Sequence, residues 1–293
     1  MIFSAWGVSG TLVVTDDSYA QMAEDLLWQW IERGDRSVNR FLDDSEISII
    51  NRQPGTPHLV SSDFAAFFDA AAASYDITDG LCTPLVLDAL EAWGYDQDIT
   101  MVQSSSHVAP SASTPAPGLG RVTFDRTTSE IHTNGVRLDF GASAKAFVAD
   151  QVAREVGKHT GVLVEIGGDV AVGGAGDGWA IGVAEDPDHR GSPLLVRSGG
   201  VATSSTLVRS WSCGTSLAHH IIDPATGAPA ISPWRTVSVA ASSCVVANAM
   251  ATASIVWGDE APFYVVQAGW AARFVNHNGQ VLCVGGWPQE VAE

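Results

Sequence analysis

The chain has 293 residues, 46% hydrophobic and 16% charged, a globular composition with ample material for a core and not that of a disordered chain. Its 15 basic residues stand against 33 acidic ones, a net charge of −18, so it has no basic surface with which to bind nucleic acid by counterion release. Any anion it binds must be met locally, by backbone N–H groups, a few cations or a divalent metal. The cysteines, Cys82, Cys213, Cys244 and Cys283, form no CxxC pair and show no zinc-ligand spacing, so they read as reduced, mostly buried thiols.

In chain order, "SGTLVVTD" (9–16) predicts a strand. Residues 17 to about 40 carry helical periodicity, with Met22, Leu26, Leu27, Trp30 and Ile31 on one face. A short helix follows in "DDSEISIINR", with Asp44 or Ser45 as its N-cap. "SSDFAAFFDAAAASYD" (61–76) and "PLVLDALEAWGY" (84–95) predict two more helices, the second with Pro84 in its first turn. The Ser/Pro/Ala-rich stretch at about 101–119 is aperiodic and reads as a flexible surface excursion within one domain spanning 1–293.

Beyond it strands dominate. "RVTFD" and "EIHTN" form a hairpin, and "VRLDFGASAKAFVADQVAREVGKH" runs strand, Gly turn, amphipathic helix. "GVLVEIGGDVAVGG" is a strand broken at Gly167-Gly168; "WAIGVAED", "PLLVRSGG" and "WRTVSVAA" are further strands. A buried helix from about 243 to 257 stops at Gly258, and a hairpin turning at Asn278-Gly279 follows. Early helices and late strands without βαβ alternation give an α+β fold of mixed, largely antiparallel sheets with packed helices. The N-terminus has no positive n-region or long apolar run, and no segment is apolar for long enough to span a membrane; the expected location is the cytoplasm.

Four places carry polar groups suited to chemistry. Asn248 and Thr252 stand four residues apart on one face of a helix rich in alanine, so both can reach one point; the bland alternative is local satisfaction of both. Gly167-Gly168-Asp169 ends a strand with bare backbone beside a carboxylate, which suits close approach of a phosphate or ring, or simply a tight turn. Lys145 and Asp150 follow a Gly turn at the start of a helix, where an anion is favoured. His220 and Asp223 precede a Pro-Ala-Thr-Gly turn, His219 being a rival for the proton-transfer role.

In order along the chain, these motifs resemble the ApbE family of FAD:protein FMN transferases. "FLDDSEISIIN" is similar to that family's aromatic-x-x-Asp-Ser-Glu segment, and "YDITDGLCTPL…WGY" to its Phe-Asp-x-Thr…Trp-Gly-Phe. "LDFGASAKAFVAD", "EIGGD", "VATSST", "HHIIDPATG" and "VVANAMATA" resemble the motifs that follow, so the likeness covers nearly the whole chain. It implies an ApbE-like (T-fold-like) architecture. It also implies an enzyme that uses Mg²⁺ to cleave the FAD pyrophosphate, places FMN on a Ser or Thr hydroxyl of an acceptor protein and releases AMP. By resemblance His220 is the base and Asp223 supports its loop. Phe41, Ser45, Glu46, Thr78, Lys145, Asp150, Gly167, Gly168, Asp169 and Thr203 line the FAD site, and Asn248, Thr252 and the backbone oxygen of Ala144 hold the metal.

The chain departs from that pattern where the family's metal-facing Asp is Asn248, where Lys-Gly is Lys145-Ala146, and where Thr-Ser-Gly is Thr203-Ser204-Ser205. A neutral amide gives Mg²⁺ less attraction than a carboxylate. Glu165, standing before Ile-Gly-Gly where the family often has Asn, is a candidate to restore the lost charge as a metal ligand. Two other functions fit the same motifs: an FAD-binding carrier or sensor without transfer activity, and a metal-dependent FAD pyrophosphatase. The acceptor motif Asp-x-Ser/Thr-Gly-Ala-Thr/Ser finds its nearest match in "LDFGASA", where Phe140 replaces the hydroxyl, which excludes self-modification there.

Overall fold

A computed structural model describes residues 1–183, 185, 193–214 and 216–289. Contacts group the chain into two compact units. The first comprises Met1–Trp30, Lys145–Ser205 and Ile231–Glu293; the second comprises Ile31–Ala144 and Thr206–Ala230.

The first unit is organised by an eight-stranded antiparallel sheet whose strands follow one another in chain order: Ile2–Ala5, Val8–Val14, Val162–Ile166, Asp169–Gly173, Gly199–Ser205, Trp234–Ala241, Ala271–Asn276 and Val281–Val284. Gly167 and Gly168 make the turn between the third and fourth strands, with φ of 62° and 91°. Two consecutive positive-φ residues match the twist of a two-residue hairpin, and only glycine adopts them without strain. A side chain at Gly167 would also meet Val8 Cγ2 at 2.8 Å. One face of the sheet carries Val164, Ile166, Ala202, Val237, Val239 and Phe274, all fully buried. The helix Cys244–Trp257 packs on this unit's strands Gly199–Ser205 and Trp234–Ala241. Its Ala247, Ala249, Ala251 and Ala253 are 0% exposed, and a Cβ on Gly200 would lie 2.6 Å from the Cys244 backbone, so small residues set the close approach. The opposite face holds Val170, Val172 and Val201 against Trp287 and the two-stranded ribbon Trp179–Ile181/Leu194–Val196.

The second unit combines the helices Glu46–Arg52, Ser62–Ile77, Leu87–Ala92 and Ile99–Gln103 with three small antiparallel sheets. Ser45 and Ser61 cap the first two helices, each accepting the N–H three residues on. The hairpin Thr123–Asp125/Glu130–His132 gains Pro57–Leu59 as a third strand, and Ser210–Cys213 pairs with Ser216–His219.

Several expectations shift. In the helix Ala20–Val38 the buried residues Ala23, Leu27, Ile31 and Val38 define the inner face, and Met22 is exposed. Pro84 precedes the helix that begins at Leu87. Residues 136–140 form no strand; the Asn51 side chain bonds the Leu138 backbone, and Asp139 N–H donates to Pro84 O. The Ser/Pro/Ala-rich stretch is pinned within its unit: Val102 is fully buried, Gly214 N–H donates to His107 O, and Ala116 N–H donates to Pro224 O. Of the strand expected in "WAIGVAED", Trp179–Ile181 is observed, and Ala184 and Asp186 lie outside the described residues. All four cysteines are free thiols, Cys283 half-buried and the others buried. Among the described residues no helix is long and apolar enough to cross a membrane.

Candidate functional site

In the first unit, Lys145, Asp169 and Asn248 meet beneath the sheet, and Thr252, on the same helix as Asn248, pairs with Ser204 nearby. Lys145 lies in the first turn of the helix Ala144–Val156, and its ammonium stands 3.3 Å from Asp169 Oδ2. Asn248 Nδ2 donates to Asp169 Oδ1 at 2.8 Å. One turn further along the same helix, Thr252 Oγ1 is 3.1 Å from Ser204 Oγ. Asp169 is 2% exposed and Asn248 7%, so this is a buried ion pair extended by an amide. The orientation of that amide follows from its neighbour: an ionised carboxylate only accepts, so the NH₂ group must face it. Asn248 Oδ1 is thereby turned away and has no hydrogen-bond partner, and Asp169 Oδ2 accepts no hydrogen bond beyond its ammonium neighbour.

Asp150 has a structural role. Its two oxygens accept the N–H groups of Cys244 and Val245 at 2.8 and 2.9 Å, so it caps the helix that carries Asn248. Burial raises its pKa above the ordinary carboxylate value, against the lowering effect of those N–H bonds, and the charge of Asp169 adds to the rise. Burial, with the charges of Asp169 and Asp150, likewise pushes the Cys244 thiol well up.

The Glu165 substitution for a lost metal-site charge is not supported. Ile166 pairs with Asp169, and Glu165 pairs with Val170. Directly paired residues share a face and neighbours along a strand alternate, so Glu165 lies on the face opposite Asp169 and Asn248. Its Oε1 accepts the Gly168 N–H at 2.8 Å, closing the Gly-Gly turn. Thr203 stands on that same opposite face, bonded to Ser238 Oγ at 2.8 Å. A Cβ at Gly168 would meet nothing within 4 Å, leaving open space beside the turn.

In the second unit, the two adjacent histidines differ in their surroundings. The Ile221 N–H donates to His219 Nδ1 at 3.3 Å, which makes Nδ1 the acceptor, so Nε2 carries the proton that it gives to Ala230 O at 3.1 Å. His219 is therefore a satisfied, buried neutral histidine. His220 interrupts the strand pattern between Ser216–His219 and Ile222–Asp223 and is half-buried. Asp223 shapes the following turn: Oδ1 accepts Ala225 N–H, Oδ2 accepts the Thr226 hydroxyl, and its carbonyl accepts Gly227 N–H. Gly227 has φ of 67° and passes so close to Thr114 that no side chain fits.

Phe41 is 45% exposed, with the Arg40 guanidinium 4.2 Å from its ring centre. Arg40 also lies over Tyr95 and pairs with Asp139 at 2.7 Å. Arg40, Tyr95 and Asp139 were missed from the sequence; a cation beside an aromatic residue at 40–41 was the available signal. Three neighbours expected at the ligand site are internally engaged. Ser45 is 1% exposed and caps its helix, Glu46 accepts both the N–H and the hydroxyl of Ser61, and Thr78 is 0% exposed, bonded to Ser74 O and Cys82 N–H. Ser45 and Thr78 are buried parts of the frame, whereas the Glu46 carboxylate is half-buried.

Among the described residues no three His, Cys, Asp or Glu side chains converge on a metal-sized site. Asn248, Thr252 and Asp169 carry an amide, a hydroxyl and a carboxylate oxygen, groups of the kind that hard cations take.

This fold and these motifs define the class. The ApbE family model matches residues 7–274, and the chain belongs to the ApbE family. It is 29% identical over 256 residues to the FAD:protein FMN transferase of Treponema pallidum, covering 76% of this chain and 67% of that protein. The Chlamydia trachomatis FAD:protein FMN transferase is 27% identical over 248 residues, covering 80% and 75%. The crystal structure of the ApbE protein from Thermotoga maritima superimposes with a TM-score of 0.81 at 26% identity, over 97% of this chain and 96% of that one. The apo flavinyl transferase ApbE of Pseudomonas stutzeri shares the fold, with a TM-score of 0.79 at 19% identity over 97% and 93%.

Proposed function

We propose that this chain is an FAD:protein FMN transferase, moving FMN from FAD to a Ser or Thr hydroxyl of an acceptor protein and releasing AMP in an Mg²⁺-dependent reaction. The observation that carries the reading is the buried Lys145–Asp169–Asn248 cluster, set beside a side-chain-free Gly-Gly turn in a chain of ApbE relatives.

The acceptor hydroxyl oxygen attacks the phosphorus of the FMN half. Its proton passes to His220, the bridging P–O bond breaks, and AMP leaves with the bonding electron pair. His219 cannot compete for that proton, because both of its ring nitrogens are already used. Asp223 holds the turn after His220 and so fixes where the base stands. Lys145 supplies positive charge to phosphate oxygens in a chain with few cations. Phe41 offers a half-exposed ring on which a flat heterocycle can stack, and the Arg40 guanidinium rigidifies it. Asn248 Oδ1 and Thr252 Oγ1 would hold the divalent cation, and the orphaned, buried Asn248 oxygen fits that role. When bound, the cation supplies charge neutralisation to the pyrophosphate.

The test combines the protein with FAD, Mg²⁺ and an acceptor domain bearing an Asp-x-Ser/Thr-Gly-Ala-Thr/Ser motif. Covalent flavin on the acceptor together with AMP is expected. AMP with free FMN would support a pyrophosphatase, and the absence of both products would support a carrier.

A further inference from the structure

Asn248 Oδ1 and Asp169 Oδ2 both lie buried without a hydrogen bond, on residues already joined at 2.8 Å. The amide faces Asp169 with its NH₂, so its own oxygen is left over, and the second carboxylate oxygen has only the Lys145 ammonium beside it. Such groups in a native structure signal a missing donor or ion. The helix adds the Thr252 hydroxyl one turn on from Asn248. Amide, hydroxyl and carboxylate oxygens form a hard donor set, suited to a divalent cation. The carboxylate comes from the sheet face that meets this helix, whereas Glu165 lies on the other face with its oxygen spent on Gly168.

Lys145 complicates the picture usefully. Its ammonium, 13% exposed, is the counter-charge of Asp169 Oδ2 at 3.3 Å. A cation arriving at Asp169 repels that ammonium and competes for the same oxygen. We propose that Asp169 is the carboxylate of the divalent-cation site, beside Asn248 Oδ1, and that Lys145 is its resting counter-ion, displaced when the cation binds and thereby released to a phosphate. Cation and FAD phosphate then bind cooperatively, because one event frees the group that the other needs. This deepens the transferase reading and rests on it for the identity of the phosphate ligand. The cation step stands without it.

The experiment is a titration of the FAD-free, full-length protein with Mn²⁺, following free Mn²⁺ by electron paramagnetic resonance. Asp169→Asn should weaken Mn²⁺ binding by about ten-fold or more, because ligand charge tunes such sites. Glu165→Gln should leave it within about two-fold, as expected for a charge outside the ligand set. Lys145→Met should bind Mn²⁺ more tightly than the unsubstituted protein, an effect that a merely structural lysine would not give. Unchanged binding in a folded Asp169→Asn protein would overturn the proposal, and so would unchanged or weaker binding in Lys145→Met. If Asp169→Asn fails to fold, Lys145→Met decides alone. Because neither FAD nor acceptor is present, a failure here is distinguishable from a failure of flavin transfer.

Discussion

Asn248→Asp puts a second carboxylate where an amide now donates to Asp169 Oδ1 at 2.8 Å. The variant loses a hydrogen bond to a charged group, worth about 1.5–3 kcal/mol. It also gains a like-charge contact, worth about 4 kcal/mol at an effective dielectric of about 20 and a separation of about 4 Å. The pair escapes part of that cost by taking up a proton, so the net destabilisation in metal-free buffer at neutral pH is about 2–4 kcal/mol. Sharing a site raises the folded-state pKa of the pair above its unfolded value. The folded state then holds the extra proton, so stability falls as pH rises through that range and the deficit shrinks on acidification. A divalent cation reverses the order: at about 100 times its Kd it stabilises by about 2.7 kcal/mol, and the variant, with more negative charge, reaches saturation at lower concentration. Chemical denaturation of both proteins at neutral and mildly acidic pH, with EDTA or with Mg²⁺, reads all of this. A variant as stable as its parent in EDTA at every pH would refute the Asn248–Asp169 contact on which the reasoning depends.

Asp150→Asn should destabilise by about 1–3 kcal/mol, because it replaces one of the two oxygens that accept N–H groups of the Cys244–Trp257 helix with a donor NH₂. Burial raises the Asp150 pKa, so the parent's contribution from this group falls as pH climbs past the usual carboxylate range, and the variant should lose that slope in a pH series of unfolding midpoints. Gly167→Ala should cost about 1–3 kcal/mol in denaturant unfolding, because it forces alanine to a φ of 62° and against Val8. Native-state alkylation followed by peptide mass mapping should label Cys283 first. Cys82, with its thiol pushed up to about 12 by burial, and the buried Cys244 should react only after unfolding.

The strands, the capped helices and the Gly-Gly hairpin were legible because each is a local signal: alternation, a serine before an apolar run, two glycines between strands. What escaped the sequence was long-range. Asp150 caps a helix 94 residues away, and no local pattern announces such a partner. Glu165 looked like a replacement ligand until its pairing with Val170 put it on the wrong face; strand parity cannot be assigned without the register. The inner face of the first helix likewise turned out narrower than its apolar pattern, with Met22 outside it. His219 and His220 were indistinguishable as adjacent letters, and the Ala230 carbonyl and the Ile221 N–H separate them. The Asn248/Thr252 spacing pointed to the right helix face, but the orientation of the amide depends on Asp169, 79 residues earlier in the chain.

The central claim is transfer rather than hydrolysis, and the most direct measurement is a product balance over the first turnovers. With FAD, Mg²⁺ and acceptor domain, AMP and acceptor-bound flavin should accumulate in equal amounts, with free FMN absent and both products lost in His220→Ala. AMP accompanied by an equal amount of free FMN, with the acceptor unmodified, would contradict the account.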